Sequence, residues 1–278
     1  MLNSPSSQIV ADPRQGHDGF RLHLQRRRPI EAAYFSCESF AVNPWVLIDT
    51  VPLPDGRGNI RLIQRADEFS IMLGTIALMN SRLSGSEEAM AGLSWARIKD
   101  RPRAHMLIGG LGMGFTLRAA LAELPPTVKI TVAELMPAVV EWARGPMAAI
   151  FNGCLDDPRV DIKVNDVRNV IRSAKGTYDA ILLDVDNGPD GLTVETNDAL
   201  YSMAGLKAAK AALRPGGVLA IWASAPDRAF TQRLQRSGFT VEEERVRANA
   251  KRRGARHVIW LATNTPPRPA PKPPTRTT

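Results

Sequence analysis

A glycine-rich turn that follows a short apolar run is the feature that most constrains this sequence. The segment His105-Met-Leu-Ile-Gly-Gly-Leu-Gly-Met-Gly114 passes from apolar residues into four glycines, and a second apolar run ends at Glu134. Glycines let a backbone approach a ligand closely, and a carboxylate after the second strand can accept hydrogen bonds from both hydroxyls of a ribose. The pattern therefore predicts a strand–helix–strand unit that binds a nucleoside.

Apolar and amphipathic segments alternate along the rest of the chain. Strands are predicted at 104–109, 128–134, 160–165, 178–184, 217–223, 239–246 and 256–263, and helices at 114–124, 137–150, 167–174, 197–213 and 227–237. Such alternation is typical of an α/β fold with a mainly parallel sheet covered on both faces. The last two strands follow each other directly, so we expect seven strands with an antiparallel hairpin at the end.

Four parts are predicted along the chain. They are a flexible basic arm (1–28), a small β-hairpin and helical unit (29–100), a Rossmann-like ligand-binding domain (101–264) and a proline-rich disordered tail (265–278). In the small unit, Trp45–Val51 and Ile60–Gln64 predict a hairpin around the turn Pro54–Asn59. Helical stretches are expected after it, and Ser84-Gly-Ser-Glu87 has the spacing of a capping box before a helix to about Ile98.

Composition argues against several classes of function. No run of 18 apolar residues occurs, and the polar N-terminus lacks the apolar core of a signal peptide, so neither a membrane span nor secretion is expected. Cys37 and Cys154 are far apart, which favours two reduced thiols in a cytoplasmic protein over a disulfide. The four histidines lack ligand spacing, so no metal site is predicted.

The basic charge of the chain does not predict a nucleic-acid partner. The net charge is +8 and the pI is about 9.9. However, much of the excess lies in Arg21–Arg28, in Arg245–Arg256 and in the tail. The arginine run near the N-terminus has no interleaved aromatic residues of the kind that stack on bases.

Residues that can carry chemistry follow four predicted strands, at the carboxyl edge where open α/β sheets bind ligands. They are Gly109, Gly110, Gly112 and Gly114, then Glu134 and Leu135, then Asp166 and Val167, and finally Asp184 and Asp186. Phosphates prefer backbone N–H groups and cations, whereas these acids suit ribose hydroxyls, an exocyclic amine and a cationic centre. An adenosyl sulfonium offers all three. Structural roles stay open for the same acids, including a helix N-cap for Asp166 and turn formation for Asp184 and Asp186.

These motifs resemble the spermidine synthase-like branch of the class I S-adenosylmethionine-dependent transferases. The resemblance covers roughly residues 45–263 and is carried by Gln64 with Asp67-Glu-Phe69, Ile108-Gly-Gly, Val132-Ala-Glu134, Asp166-Val167, Tyr178-Asp-Ala-Ile-Leu-Leu-Asp184, Asn197–Ser202 and Leu213-Arg-Pro-Gly-Gly217. It implies the class I methyltransferase fold, a sulfonium nucleoside as cofactor and a homodimer.

The resemblance also implies roles for individual residues. Glu134 would bind the ribose hydroxyls. The Asp166 side chain would accept from the adenine amine, and the backbone N–H of Val167 would face a ring nitrogen. Asp184 would be the catalytic group beside the reacting centre, with Asp186 as a second candidate.

Three departures from the family pattern concern the rest of the ligand. Gly112 stands where spermidine synthases have an aspartate that is expected to hold the amine of decarboxylated S-adenosylmethionine. Without that acid, the carboxylate of intact S-adenosylmethionine would meet no repulsion there and could be bound by loop N–H groups. The Tyr-His-Glu of the family is replaced by Ile71-Met-Leu73, so part of a polyamine pocket is missing. The loop after Asp184 is also shorter.

The leading hypothesis from the sequence is a methyltransferase that uses S-adenosylmethionine. An amine acceptor, on a small molecule or a protein, is favoured because the site is acidic. Gln64 and Asp67 are the predicted substrate-binding residues, and Arg82 would instead meet an acidic group of the acceptor. The segments Ser81-Arg82 and Ser86-Glu-Glu88 are candidates for the acceptor entrance, and an ordinary capped helix explains them equally well. The alternatives are aminopropyl transfer from decarboxylated S-adenosylmethionine and a non-catalytic, cofactor-binding scaffold.

Overall fold

The computed structural model describes residues 43–54, 56, 58–82, 84–185, 199–247 and 255–266, which belong to one compact unit. The predictions for the basic arm, for Cys37, for Asp186 and for most of the tail lie outside these residues. Within the described ranges, no helix combines the length and the apolar character that crossing a membrane requires.

The described chain begins with a small antiparallel sheet. Its strands, in spatial order, are β1 (Val46–Pro52), β2 (Asn59–Arg65), β3 (Glu68–Leu73) and β4 (Ile76–Asn80). The hairpin of β1 and β2 is confirmed, but the helical stretches expected directly after it are two further strands. Ala66 and Gly74 have positive φ values of 54° and 57° at the two reversals. The alternate residues Phe69 and Ile71 of β3 enter the core, which is the period of a strand.

A seven-stranded sheet forms the centre of the molecule. Its strands are β5 (His105–Gly109), β6 (Lys129–Glu134), β7 (Val160–Val164), β8 (Tyr178–Leu183), β9 (Leu213–Ala223), β10 (Thr240–Arg247) and β11 (Arg256–Thr263). The spatial order is β10-β11-β9-β8-β5-β6-β7. Strands β9, β8, β5, β6 and β7 pair in parallel, and β11 pairs antiparallel with β9 and β10. The predicted α/β fold with its closing antiparallel hairpin is confirmed.

Helices cover both faces of this sheet. They are α1 (Gly85–Ile98), α2 (Phe115–Glu123), α3 (Pro137–Arg144), α4 (Ala148–Phe151), α5 (Val167–Ser173), α6 (Met203–Ala212) and α7 (Arg228–Arg236). Along β5, Met106 and Ile108 pack with α1 to α4, whereas Leu107 packs with α5 to α7. Burial on both faces explains why the central strands are continuous apolar runs.

Helix α1 begins where the capping box predicts, but the predicted capping hydrogen bond does not form. Ser84 occupies the N-cap position, and its side chain makes no capping hydrogen bond. The helix packs against α2 and against β8 and β9. Its first turn is therefore held near the carboxyl edge of the sheet by packing on the sheet and on α2.

A buried carboxylate joins three segments at the opposite edge of the sheet. Asp179 of β8 is 1% exposed and accepts hydrogen bonds from Arg101 (2.5 Å), from Arg214 (2.6 Å) and from the backbone N–H of His105 (2.8 Å). Because these partners lie after α1, in β9 and in β5, the Asp179 carboxylate ties the three segments together.

We expect Asp179→Ala to lower the free energy of unfolding by about 2–3 kcal/mol, because two guanidinium groups and a backbone N–H lose a buried partner. Urea unfolding at pH 7 measures the change. Asp161→Ala is the matched control, since Asp161 of β7 has a side chain 65% exposed and should change stability by less than about 0.5 kcal/mol. Equal losses in the two variants would contradict a structural role for Asp179.

Candidate active site

The glycine loop after β5 lies very close to the end of β8. The backbone N–H of Gly110 donates to Ala133 (2.8 Å), and that of Asp184 donates to the carbonyl of Gly109 (3.3 Å). Gly110 has a φ of +90°, and a Cβ at this position would lie 2.9 Å from the carbonyl oxygen of Asp184. Glycine is therefore required at 110, both for its conformation and for the close approach of the two backbones.

The other glycines of the loop have different structural roles. A Cβ at Gly109 would meet Val167 at 2.9 Å, and one at Gly114 would meet the ring of Phe151 at 2.5 Å. Gly109 is therefore needed for packing beneath the loop. Gly114, with a φ of +75°, turns the chain into α2. Gly112 has a φ of +50° and lines a cavity.

Glu134 is buried behind the same loop. Its two carboxylate oxygens accept hydrogen bonds from the backbone N–H groups of Leu111 and Met136, each at 2.8 Å. Burial raises the pKa of Glu134, and these N–H groups oppose the shift because they stabilise the charged form. The carboxylate is thus held in place before a ligand binds. The next residue, Leu135, is 48% exposed.

Asp166 takes the N-cap position of α5, the structural role that the sequence left open. Its carboxylate accepts from the backbone N–H of Arg168 at 2.8 Å, and the Arg168 guanidinium pairs with it at 2.5 Å. Burial acts to raise the pKa of Asp166, but the hydrogen bonds and charge of Arg168 outweigh it and lower the pKa. Val167, the first residue of α5, is buried.

Asp184 faces a cavity of about 200 Å³ beside the glycine loop. The Thr116 hydroxyl of α2 donates to its carboxylate at 3.1 Å. Removal from bulk water raises the pKa of Asp184 to about 7. The negative charge of Glu87 adds to this shift, and the Thr116 hydrogen bond opposes it. Asp184 is consequently a carboxyl group that can exchange a proton near neutral pH.

Residues from outside the strand ends complete the cavity. Ser86 and Glu87 come from α1, Trp222 from β9 and His257 from β11. The predicted site includes neither Trp222 nor His257, whereas Ser86 and Glu87 belong to a segment that the sequence offers either as part of the acceptor entrance or as an ordinary helix start. Trp222 and His257 lie inside apolar strand patterns that predict core positions, so no sequence signal marks them.

The predicted substrate residues do not line the cavity. Gln64 donates to the carbonyl of Ala66, and Asp67 is exposed in the turn between β2 and β3. The Arg82 side chain is 67% exposed and lies 3.6 Å from Glu68. The structure brings Gly110, Gly112, Gly114 and Asp184 together in the cavity, with Glu134 behind the loop.

Comparison with known proteins identifies polyamine aminopropyltransferases among the relatives of this chain. The spermine/spermidine synthase domain family matches residues 85–236. The polyamine aminopropyltransferase of Mycobacterium tuberculosis is 32% identical over 137 residues, which are 48% of this chain and 25% of that protein. That of Nitrosomonas europaea is 31% identical over 125 residues, which are 45% of this chain and 36% of that protein. The similarity therefore spans well under half of each relative.

Solved structures share the fold at low identity. The spermidine synthase of Thermotoga maritima superposes with a TM-score of 0.59 and 19% identity, over 78% of this chain and 72% of that one. Human methyltransferase-like protein 13, solved in complex with SAH, gives a TM-score of 0.51 and 21% identity, over 68% of this chain and 86% of that one. Because both proteins match, the fold alone does not distinguish the two reactions.

The hypothesis of a methyltransferase is wrong, because the matching relatives are polyamine aminopropyltransferases. It depended on the absence of an acid at Gly112 and on the replacement of the family's Tyr-His-Glu by Ile71-Met-Leu73. The structure places Glu87 in the cavity that Gly112 lines, so this cavity contains an acid although the loop has none. The broader expectation of a transferase agrees with these relatives. Since the match over 85–236 covers more than half of the sequence, the chain belongs to the spermine/spermidine synthase domain family.

Proposed function

We propose that this chain transfers an aminopropyl group from decarboxylated S-adenosylmethionine to an amine, the activity in the names of its relatives. The observation that carries the proposal is Asp184, a carboxyl at a strand end whose pKa is raised to about 7 by burial. An alkylamine is an ammonium ion at neutral pH and must lose a proton before it can attack. A base with a pKa near neutrality suits that task.

The lining of the cavity fits a cationic ligand. Among the described residues, Glu87 and Asp184 line it and no lysine or arginine does. Such a site favours sulfonium and ammonium groups and disfavours phosphate. The charge pattern therefore agrees with a donor and an acceptor that are both cations.

Groups at the ends of β6 and β7 would hold the nucleoside. Glu134, already oriented by the N–H groups of Leu111 and Met136, would accept from the ribose hydroxyls. Asp166 would accept from the adenine amine while it still caps α5. Its ion pair with Arg168 keeps it ionised, and therefore an acceptor, at neutral pH.

Asp184 and Thr116 would serve the reacting centre. The sulfonium of the donor supplies an activated carbon: a carbon–nitrogen bond forms, the carbon–sulfur bond breaks and its electron pair goes to sulfur. Asp184 accepts the proton that the acceptor nitrogen loses. The Thr116 hydroxyl, which donates to Asp184, holds the carboxylate in position. The products are a neutral thioether and a longer amine.

Activity of the purified chain tests this proposal directly. With decarboxylated S-adenosylmethionine and putrescine, we expect spermidine and methylthioadenosine to form, and kcat/KM to rise with pH through about 7 as Asp184 ionises. Asp184→Asn should lower kcat by about 10²- to 10⁴-fold, because an amide cannot accept the proton. Thr116→Ser keeps the hydroxyl and serves as control. The proposal would be contradicted if the wild-type chain did not convert putrescine into spermidine.

The pH dependence of folding stability should reveal the raised pKa of Asp184 without any substrate. Between the unfolded pKa near 4 and the folded pKa of about 7, the folded chain retains a proton that the unfolded chain releases. Asp184 therefore destabilises the fold increasingly as pH rises through this window. The side-chain amide of the Asp184→Asn variant would stay neutral. We expect the Tm of this variant to exceed that of the wild type at pH 8 by at least about 2–4 °C, the shift for about 1 kcal/mol, because a pKa raised from near 4 to about 7 corresponds to more than that by linkage.

The difference in Tm should shrink towards pH 4.5, where Asp184 is protonated in the folded wild type. Differential scanning calorimetry at the two pH values measures it. Asp161→Asn, at an exposed position in β7, is the matched change of charge. A gain that is the same at both pH values would show that the pKa of Asp184 is not raised.

A further inference from the structure

The glycine loop has no acid, and an acid at position 112 would require the neighbouring Met79 side chain to shift. Gly112 has a φ of +50°, and a Cβ at this position would lie 3.1 Å from the sulfur of Met79. An aspartate at 112 would need a left-handed backbone and a shift of Met79. An ammonium group that binds beside this loop therefore needs a carboxylate from another element.

Glu87 is such a carboxylate, and it is held by a chain of hydrogen bonds. It lies in the first turn of α1 and lines the cavity with Gly112 and Asp184. The Ser86 hydroxyl donates to Glu87 at 2.8 Å. Because that hydroxyl has a single hydrogen, it accepts from Nδ1 of His257 at 3.0 Å. Strand β11 thus orients the carboxylate before a ligand binds.

The two acids of the cavity carry an electrostatic penalty that a cation would remove. Burial raises the pKa of Glu87. After burial, the charge of Glu87 is the next cause of the raised pKa of Asp184. No lysine or arginine of the described ranges lines the cavity. A positively charged group between the carboxylates favours the ionised form of both.

We propose that Glu87 binds the ammonium group of the aminopropyl donor and thereby selects decarboxylated over intact S-adenosylmethionine. The inference rests on the proposed function. The intact molecule has a carboxylate on the carbon that carries the ammonium, and this carboxylate would be brought towards Glu87. In a partly desolvated cavity, like charges at such short range repel strongly. Selection against the intact molecule then comes from α1, not from the loop after β5.

Isothermal titration of the purified full chain tests the assignment with three ligands. They are decarboxylated S-adenosylmethionine, intact S-adenosylmethionine and 5′-methylthioadenosine, which has no aminopropyl group. The wild type should bind the decarboxylated form more tightly than the intact one. Glu87→Gln should weaken binding of the decarboxylated form by about 10- to 100-fold, since a charge-assisted hydrogen bond is lost. The affinity of the Glu87→Gln variant for methylthioadenosine should equal that of the wild type.

Two further variants separate charge from position. Glu88→Gln removes the same charge one residue away, at an exposed site outside the cavity, and should leave all three affinities unchanged. Ser86→Ala keeps Glu87 but removes its hydrogen bond. It should weaken only the binding of the decarboxylated form, and by less than Glu87→Gln does.

The outcomes distinguish this inference from the proposed function. A wild type that prefers intact S-adenosylmethionine, or binds neither form, would overturn the proposed function itself. If the wild type prefers the decarboxylated form and Glu87→Gln keeps that preference, only the role of Glu87 is overturned. An equal loss of methylthioadenosine affinity would also overturn it, because the effect would not depend on the ammonium group. A rise in the KM for putrescine without a change in donor affinity would assign Glu87 to the acceptor instead.

Discussion

The site depends on the parallel pairing of β5 with its two neighbours, β6 and β8. Parallel strands end at the same edge, and here their ends are joined by backbone hydrogen bonds from Gly110 to Ala133 and from Asp184 to Gly109. This close contact is sterically available only because position 110 has no Cβ. The carboxyl group that we assign to proton transfer is thus positioned by the backbone of the sheet, beside the loop that we expect to approach the ligand.

Most of the large sheet could be predicted from the sequence because its strands are buried on both faces. Each central strand is a continuous apolar run, and each run is followed by an amphipathic helix. The type of each element and its order along the chain could therefore be predicted. The small sheet was harder to predict. Strand β3 ends in the continuous apolar run Ile71-Met-Leu73, which is also typical of a helix segment, and only Gly74 marks the reversal into β4. Pairing with β2 decides the outcome, and pairing is a tertiary contact.

The site could be predicted as far as it lies at strand ends. Asp184 and Gly112 meet in one cavity because the rule for open α/β sheets applies to them. Glu87 and His257 reach the same cavity from α1 and β11, and the hydrogen bond between Ser86 and His257 that joins these elements spans 171 positions of the sequence. No periodicity or spacing in the sequence predicts that these residues lie close together. Asp166 shows the opposite case, since its N-cap geometry follows from local sequence alone.

The position of a charge in space matters more than its position in an aligned motif. The glycine at 112 removes an acid from the loop, and from the sequence this implied a cavity suited to a ligand carboxylate. In the folded chain a second acid enters the cavity from α1, so the local charge stays negative. The electrostatic free energy of a ligand depends on all charges within a few ångströms. A substitution in one loop can therefore be compensated by an element that packs against it, and the preference for a cation that we propose rests on this compensation.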